Sequence, residues 1–157
     1  MAKFQFAGID AYIAALQKIG DDTDETIRNA IYDGAGLVAD AVRDAIKALP
    51  TDSKHGTSEN KIDGVTAVQK QGLLDGFGIS PMKDDNGFIN VKLGFAGYNK
   101  QRTKKYPNGQ PNALIARSVN SGTSFRKKTQ FVDKAVKSSK SACEAAMRKA
   151  IEDAIKD

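Results

Sequence analysis

Phe88-Ile89-Asn90-Val91-Lys92-Leu93-Gly94-Phe95 is the stretch that separates the folds open to this chain. Ile89, Val91, Leu93 and Phe95 fall on one face, with Asn90, Lys92 and Gly94 on the other, which is the period of two that a strand with one covered side requires. The preceding segment sets Phe77, Ile79 and Pro81 on an apolar face of its own, so the two runs predict an antiparallel hairpin. A two-residue Asn86-Gly87 turn would set Ile79 opposite Gly94, whereas a three-residue Asp85-Asn86-Gly87 loop sets it opposite Leu93. A slip of one residue moves every side chain to the wrong face, which favours the three-residue loop with Gly87 left-handed.

Helical periods flank this hairpin. A first helix is expected over about 9–19, where Ile9, Tyr12, Ile13, Leu16 and Ile19 recur at helical spacing before Gly20. A second opens where Asp22 caps and Glu25 reaches back to it. It carries Ile27, Ile31, Ala35, Val38, Val42, Ile46 and Leu49 three or four apart and closes at Pro50. Gly34 and Gly36 sit inside that stripe, each costing about 0.5 to 1 kcal/mol relative to Ala. They point to close approach of another backbone or to a bend, neutral drift being the plain alternative.

Downstream, Ala113, Leu114, Ile115 and Val119 form a short apolar element ending at Gly122. From about 130 onward, Phe131, Val132, Ala135, Val136, Ala142, Ala146, Met147, Ala150, Ile151, Ala154 and Ile155 define a long helix. The order helix, helix, hairpin, short element, helix is not the alternation that builds a parallel sheet. The expected class is α+β, a small antiparallel sheet packed against two long helices plus a short N-terminal helix. At 157 residues the chain fits a single domain, 1–157. Two polar connections, near 51–64 and 96–111, lack periodicity and read as flexible loops.

Composition narrows function mainly by exclusion. One His (His55) and one Cys (Cys143) supply neither the clustered ligands of a structural zinc site nor a Cys/His nucleophile pair. Gly94-Phe95-Ala96-Gly97 and the glycines at 72, 76 and 78 lack the fingerprint of a dinucleotide or phosphate loop and read as turn residues. Asp21, Asp22, Asp24 and Glu25 are explained by capping and the helix dipole. No catalytic, metal-binding or cofactor-binding residue is therefore assigned, and the expectation is a non-enzyme without cofactors. The start of the chain lacks a secretory h-region and no run approaches the ~18 apolar residues of a membrane span, so it reads as soluble and intracellular when made.

The net charge of +5 is unevenly spread. Residues 1–50 carry 5 Lys/Arg against 8 Asp/Glu, 51–99 carry 5 against 6, and 100–157 carry 14 against 5, or −3, −1 and +9. Lys100, Arg102, Lys104, Lys105, Arg126, Lys127 and Lys128 are the candidate partner contacts, facing either an acidic protein surface or a phosphate backbone. Gly122 and Thr123 are the candidate turn, and Phe131 to Ala135 the anchor that docks the last helix. Tyr98 and Tyr106, set among lysines, suit either a solvated hairpin tip or stacking on nucleic-acid bases.

The order of motifs resembles the head-tail connector or tail-completion (neck) family of long-tailed, lambda-like bacteriophages. The matching features are Gly8-Ile9-Asp10 opening a short helix, Gly34-Ala35 inside a long helix ending at Pro50, and Gly72-Leu73 leading to a first strand. Val91-Lys92-Leu93-Gly94, Val119-Asn120-Ser121-Gly122-Thr123 and Gln130-Phe131-Val132-Asp133-Lys134-Ala135 follow in the family's order, with Asn120 in place of the usual acid and Gln130 in place of the usual proline. The resemblance implies a virion structural protein of the head-tail junction. Copies would assemble into a ring and contact neighbouring neck or tail proteins and passing DNA, in a virion put together in the host cytoplasm, with no membrane partner. The alternative is a basic nucleic-acid-binding protein contacting phosphates through residues 100–128, and a third reading is an enzyme built on paired carboxylates facing a pocket.

Overall fold

The computed structural model describes residues 23–156, and the helix expected over 9–19 and the Asp22 cap lie outside them. The described elements are α1 (Thr23–Ala48), α2 (Ala67–Gly76), β1 (Phe77–Ile79), β2 (Lys83–Asp85), β3 (Phe88–Asn90), β4 (Leu93–Phe95), α3 (Asn112–Ser121) and α4 (Phe131–Lys156). Four helices with short antiparallel strands make the fold α+β. The chain divides into two compact units, one of Met1–Ala39, Ile79–Leu93 and Ser139–Asp157, the other of Asp40–Gly78 and Gly94–Ser138.

In the first unit the stripe of α1 buries Ile27, Ala30, Ala35, Val38 and Ala39, and α4 buries Cys143, Met147 and Ile151. Gly34 explains why a helix tolerates glycine here. A Cβ on it would lie 2.6 Å from Met147 Cγ and 2.9 Å from Cys143 Sγ, so the two helices meet through its missing side chain. Nothing lies within 4 Å of a Cβ built on Gly36, which packing therefore does not explain.

The expected hairpin is present but interrupted. At its tip Lys83, Asp84 and Asp85 pair with Asn90, Ile89 and Phe88, leaving a two-residue Asn86-Gly87 turn with φ of 57° and 86°. Positive φ at both central residues is the type I′ pattern that matches strand twist, and the Gly87 N–H adds a 2.6 Å bond to Asp84 Oδ1. The three-residue loop is thus replaced by a two-residue one. At the base, however, Ala96 N–H donates to Gly76 O and Ser80 N–H to Lys92 O, which sets Ile79 opposite Leu93 after all.

The two registers coexist because Pro81 and Met82 stand opposite Val91 alone, an extra residue between the Ser80/Lys92 and Lys83/Asn90 pairs. Pro81 has no N–H to give the ladder, so the bulge falls where a bond could not form. The single strand expected over 88–95 therefore becomes β3 and β4, in separate two-stranded sheets β2-β3 and β1-β4.

The second unit holds a core of Val42, Ile46, Leu49, Ile62, Val65, Leu73, Phe77, Ile115, Ala116, Val119, Phe131 and Ala135. The sequence reading missed α2. Thr66 Oγ1 accepts from the Gln69 N–H and Gln69 Oε1 from the Thr66 N–H, each at 3.1 Å, a full capping box. Gly72 and Gly76, expected to serve turns, lie on α2, where an added Cβ would strike Asn99 and Asn112 at one and Ala96 O and Asn112 at the other.

Phe77 and Phe95 stack at 5.0 Å between centroids, Phe95 meets Phe131 edge-on at 6.3 Å, and the Arg43 guanidinium lies 5.5 Å over Phe77. These contacts seat the first turn of α4 on β1 and β4.

Candidate functional site

Three connections of the second unit close around a cleft of about 570 Å³. The 51–64 connection is tied down by Val65 N–H to Pro50 O and Asp52 N–H to Val65 O. It also exchanges backbone bonds with the basic loop, Ile62 N–H to Phe125 O at 3.0 Å and Lys127 N–H to Ile62 O at 2.9 Å. The 96–111 connection is shut at its base by Asn99 N–H to Gln110 O and Asn112 N–H to Gly97 O, each at 2.9 Å.

Because Phe125 and Lys127 bond on either side of Ile62, the extended backbone between them turns Arg126 inward and leaves Phe125 and Lys127 partly in solvent. Arg126 is 3% exposed. Its Nη1 donates to Gly64 O at 2.6 Å and its Nη2 to Gln69 Oε1 at 3.3 Å. The same Gln69 passes Nε2 to Gln110 Oε1 at 2.8 Å, and Thr66 Oγ1 donates to Gln101 Oε1 at 2.6 Å. An amide and hydroxyl network thus links α2, the 96–111 connection and the basic loop.

Every acceptor of the Arg126 guanidinium is neutral, and among the described residues no carboxylate pairs with it. Burial lowers its pKa from the ordinary arginine value, without a compensating negative neighbour. The cleft walls add Lys54, His55 and Lys105 and no Asp or Glu, with Ile62, Leu114, Ile115, Tyr106 and Phe125 as the apolar lining.

The seven basic residues picked from the sequence are therefore not one surface. Lys100, Arg102, Lys104, Lys105, Lys127 and Lys128 are exposed, whereas Arg126 is interior, so it is not available to a surface partner as the others are. Only Lys105 joins Arg126 at the cleft. Tyr98 is 70% exposed, and Tyr106 is half-buried with Lys105 Nζ 5.5 Å over its ring.

Gly122 ends α3 with φ of 77° and donates to Ser118 O, while Thr123 N–H closes the following turn on Arg126 O. Phe131 and Ala135 are buried at 5% and 6%, as an anchor requires. The residues missed from sequence are the neutral ones, Thr66, Gln69, Gln101 and Gln110. Only the first two left a signal, the capping pair of a hydroxyl followed three residues later by an amide. Among the described residues no group of three His, Cys, Asp or Glu is placed to hold a metal, and no helix is long and apolar enough to cross a membrane.

Comparison with known protein families, with curated proteins and with solved structures gives no match.

Proposed function

We propose that this chain is a non-enzymatic structural protein of a phage head-tail junction, working by assembly into a ring of identical copies rather than by chemistry. The observation that carries the reading is the β2-β3 hairpin. It is a two-stranded sheet whose outer edges have no strand beside them among the described residues, with β2 fully exposed and Phe88 57% exposed beside the turn. Such a ribbon is marginal by itself, and its open edges and bare aromatic are what a neighbouring chain covers.

The motif order and the charge division, −3 over the first fifty residues and +9 over the last fifty-eight, support the same reading. A ring closes through heterologous contacts, so one face of a copy must complement a different face of the next, and opposite charge sets that orientation. The virion neck is the location this function entails.

Mass photometry over rising concentration tests it, with closed rings of fixed copy number as the expected result. A gel shift at two salt concentrations runs beside it. A chain that forms no ring but binds random duplex with a steep salt slope would overturn the reading in favour of phosphate binding by the exposed Lys100 to Lys128 cations.

A further inference from the structure

We infer that the cleft over Arg126 is a binding site for an anionic group, carboxylate or phosphate, carried on an apolar or aromatic body. The inference is independent of ring assembly.

A guanidinium that is 3% exposed has lost nearly all its water, and buried charge in proteins is ordinarily paired with an opposite charge. Arg126 instead spends Nη1 and Nη2 on neutral oxygens, and its Nε has no hydrogen-bond partner. Two further buried polar atoms without partners, Ser118 Oγ and Thr123 Oγ1, belong to residues lining the same cleft. Three of the five such atoms among the described residues thus belong to residues lining this one cleft.

Each of these groups can donate a hydrogen bond, and an anion is a ligand that only accepts them. Lys54 and Lys105 at the walls add charge of the same sign, with no acid in the lining to cancel it. The remaining walls, among them Ile62, Leu114 and Phe125, are apolar, so a bare hydrated ion leaves most of the cleft unused while a ligand with a hydrophobic body fills it.

The test follows the Arg126 Nε–H resonance of the ¹⁵N-labelled full chain, assigned by its loss in Arg126→Lys. Phenylacetate, phenyl phosphate and inorganic phosphate are titrated against a sodium chloride control. A saturable shift with phenylacetate or phenyl phosphate, at roughly tenfold lower concentration than inorganic phosphate requires, is the expected result. The tighter of the two aromatic ligands identifies the head group.

Gln69→Glu places a carboxylate where the amide oxygen now meets Nη2, keeps the capping-box geometry, and is expected to abolish the shift. Lys54→Ala combined with Lys105→Ala touches exposed wall residues only and weakens binding without threatening the fold. Absence of a saturable shift with every ligand, or a shift that survives both sets of changes, overturns the assignment.

Discussion

Asn120 caps a helix to which it does not belong: its Oδ1 accepts the Val132 N–H at 3.1 Å. Val132 and Asp133 are the second and third residues of α4, whose free N–H groups need an acceptor, and the Asp133 N–H reaches the same oxygen at 3.5 Å. Asn120 Nδ2 returns a 3.0 Å bond to Asp133 Oδ2, while Gln130, directly before the helix, sits at a φ of 54°. Asn120 is therefore the clamp between α3 and α4.

Asn120→Ala should cost about 0.5 to 2 kcal/mol, the usual range for a lost N-cap. Urea unfolding followed by circular dichroism reads this directly, as a lower midpoint at unchanged slope. Asn120→Asp keeps the acceptor but faces Asp133 with a like charge, so adding Asp133→Asn should recover stability. An unchanged midpoint in Asn120→Ala would show that the clamp contributes nothing.

The two glycines of α1 should respond with opposite sign. Gly36→Ala meets no atom within 4 Å and gains the helix preference of Ala, so it should stabilise by about 0.5 to 1 kcal/mol. Gly34→Ala drives a methyl against Met147 and Cys143 inside a packed core, and overpacking of about 1 to 3 kcal/mol outweighs that gain. Thermal unfolding of the two variants side by side settles the order, and a stabilised Gly34→Ala would contradict the contact.

Cys143 should be inert in the native protein. It is 1% exposed, and burial, with a smaller effect from Glu144, raises its thiol pKa from 9.0 to about 11. Iodoacetamide at pH 8 should label it only after urea is added. The folded pKa lies above the unfolded one, so the folded state keeps a proton that the unfolded state gives up. This contribution is complete below about pH 9 and is lost as pH rises toward about 11. Rapid native labelling at pH 8 would refute it.

Phe88 is the exposed aromatic beside the hairpin turn, so Phe88→Ser removes apolar surface without opening a core. It should leave the unfolding free energy within about 0.5 kcal/mol and reduce ring formation. If mass photometry shows the same rings for the variant, the hairpin is not the contact between copies.

Much of the fold was legible because periodicity reports burial on one face. The stripes of α1 and α4 and the pairing of Ile79 with Leu93 all follow from spacing. The hairpin reading went astray at one step, the assumption of a single register. The sequence contained both clues, Asn86-Gly87 as a two-residue turn and Pro81 as a break in the ladder, and only together do they account for the extra residue. Helix α2 was hidden because its apolar residues are few and Gly72 and Gly76 imitate turns, although Thr66 and Gln69 marked its start.

Local pattern alone determined the α+β class, the two long helices, the hairpin, the anchor at Phe131 and the basic character of the last third. Tertiary structure decided which basic residue is different. In the sequence Arg126 is one cation beside Lys127 and Lys128, and nothing local distinguishes it. The backbone bonds of Ile62 to Phe125 and Lys127, made across more than sixty residues, turn that one side chain inward. Charge can be read from a residue's identity, but its hydration and its partners depend on which distant segment covers it.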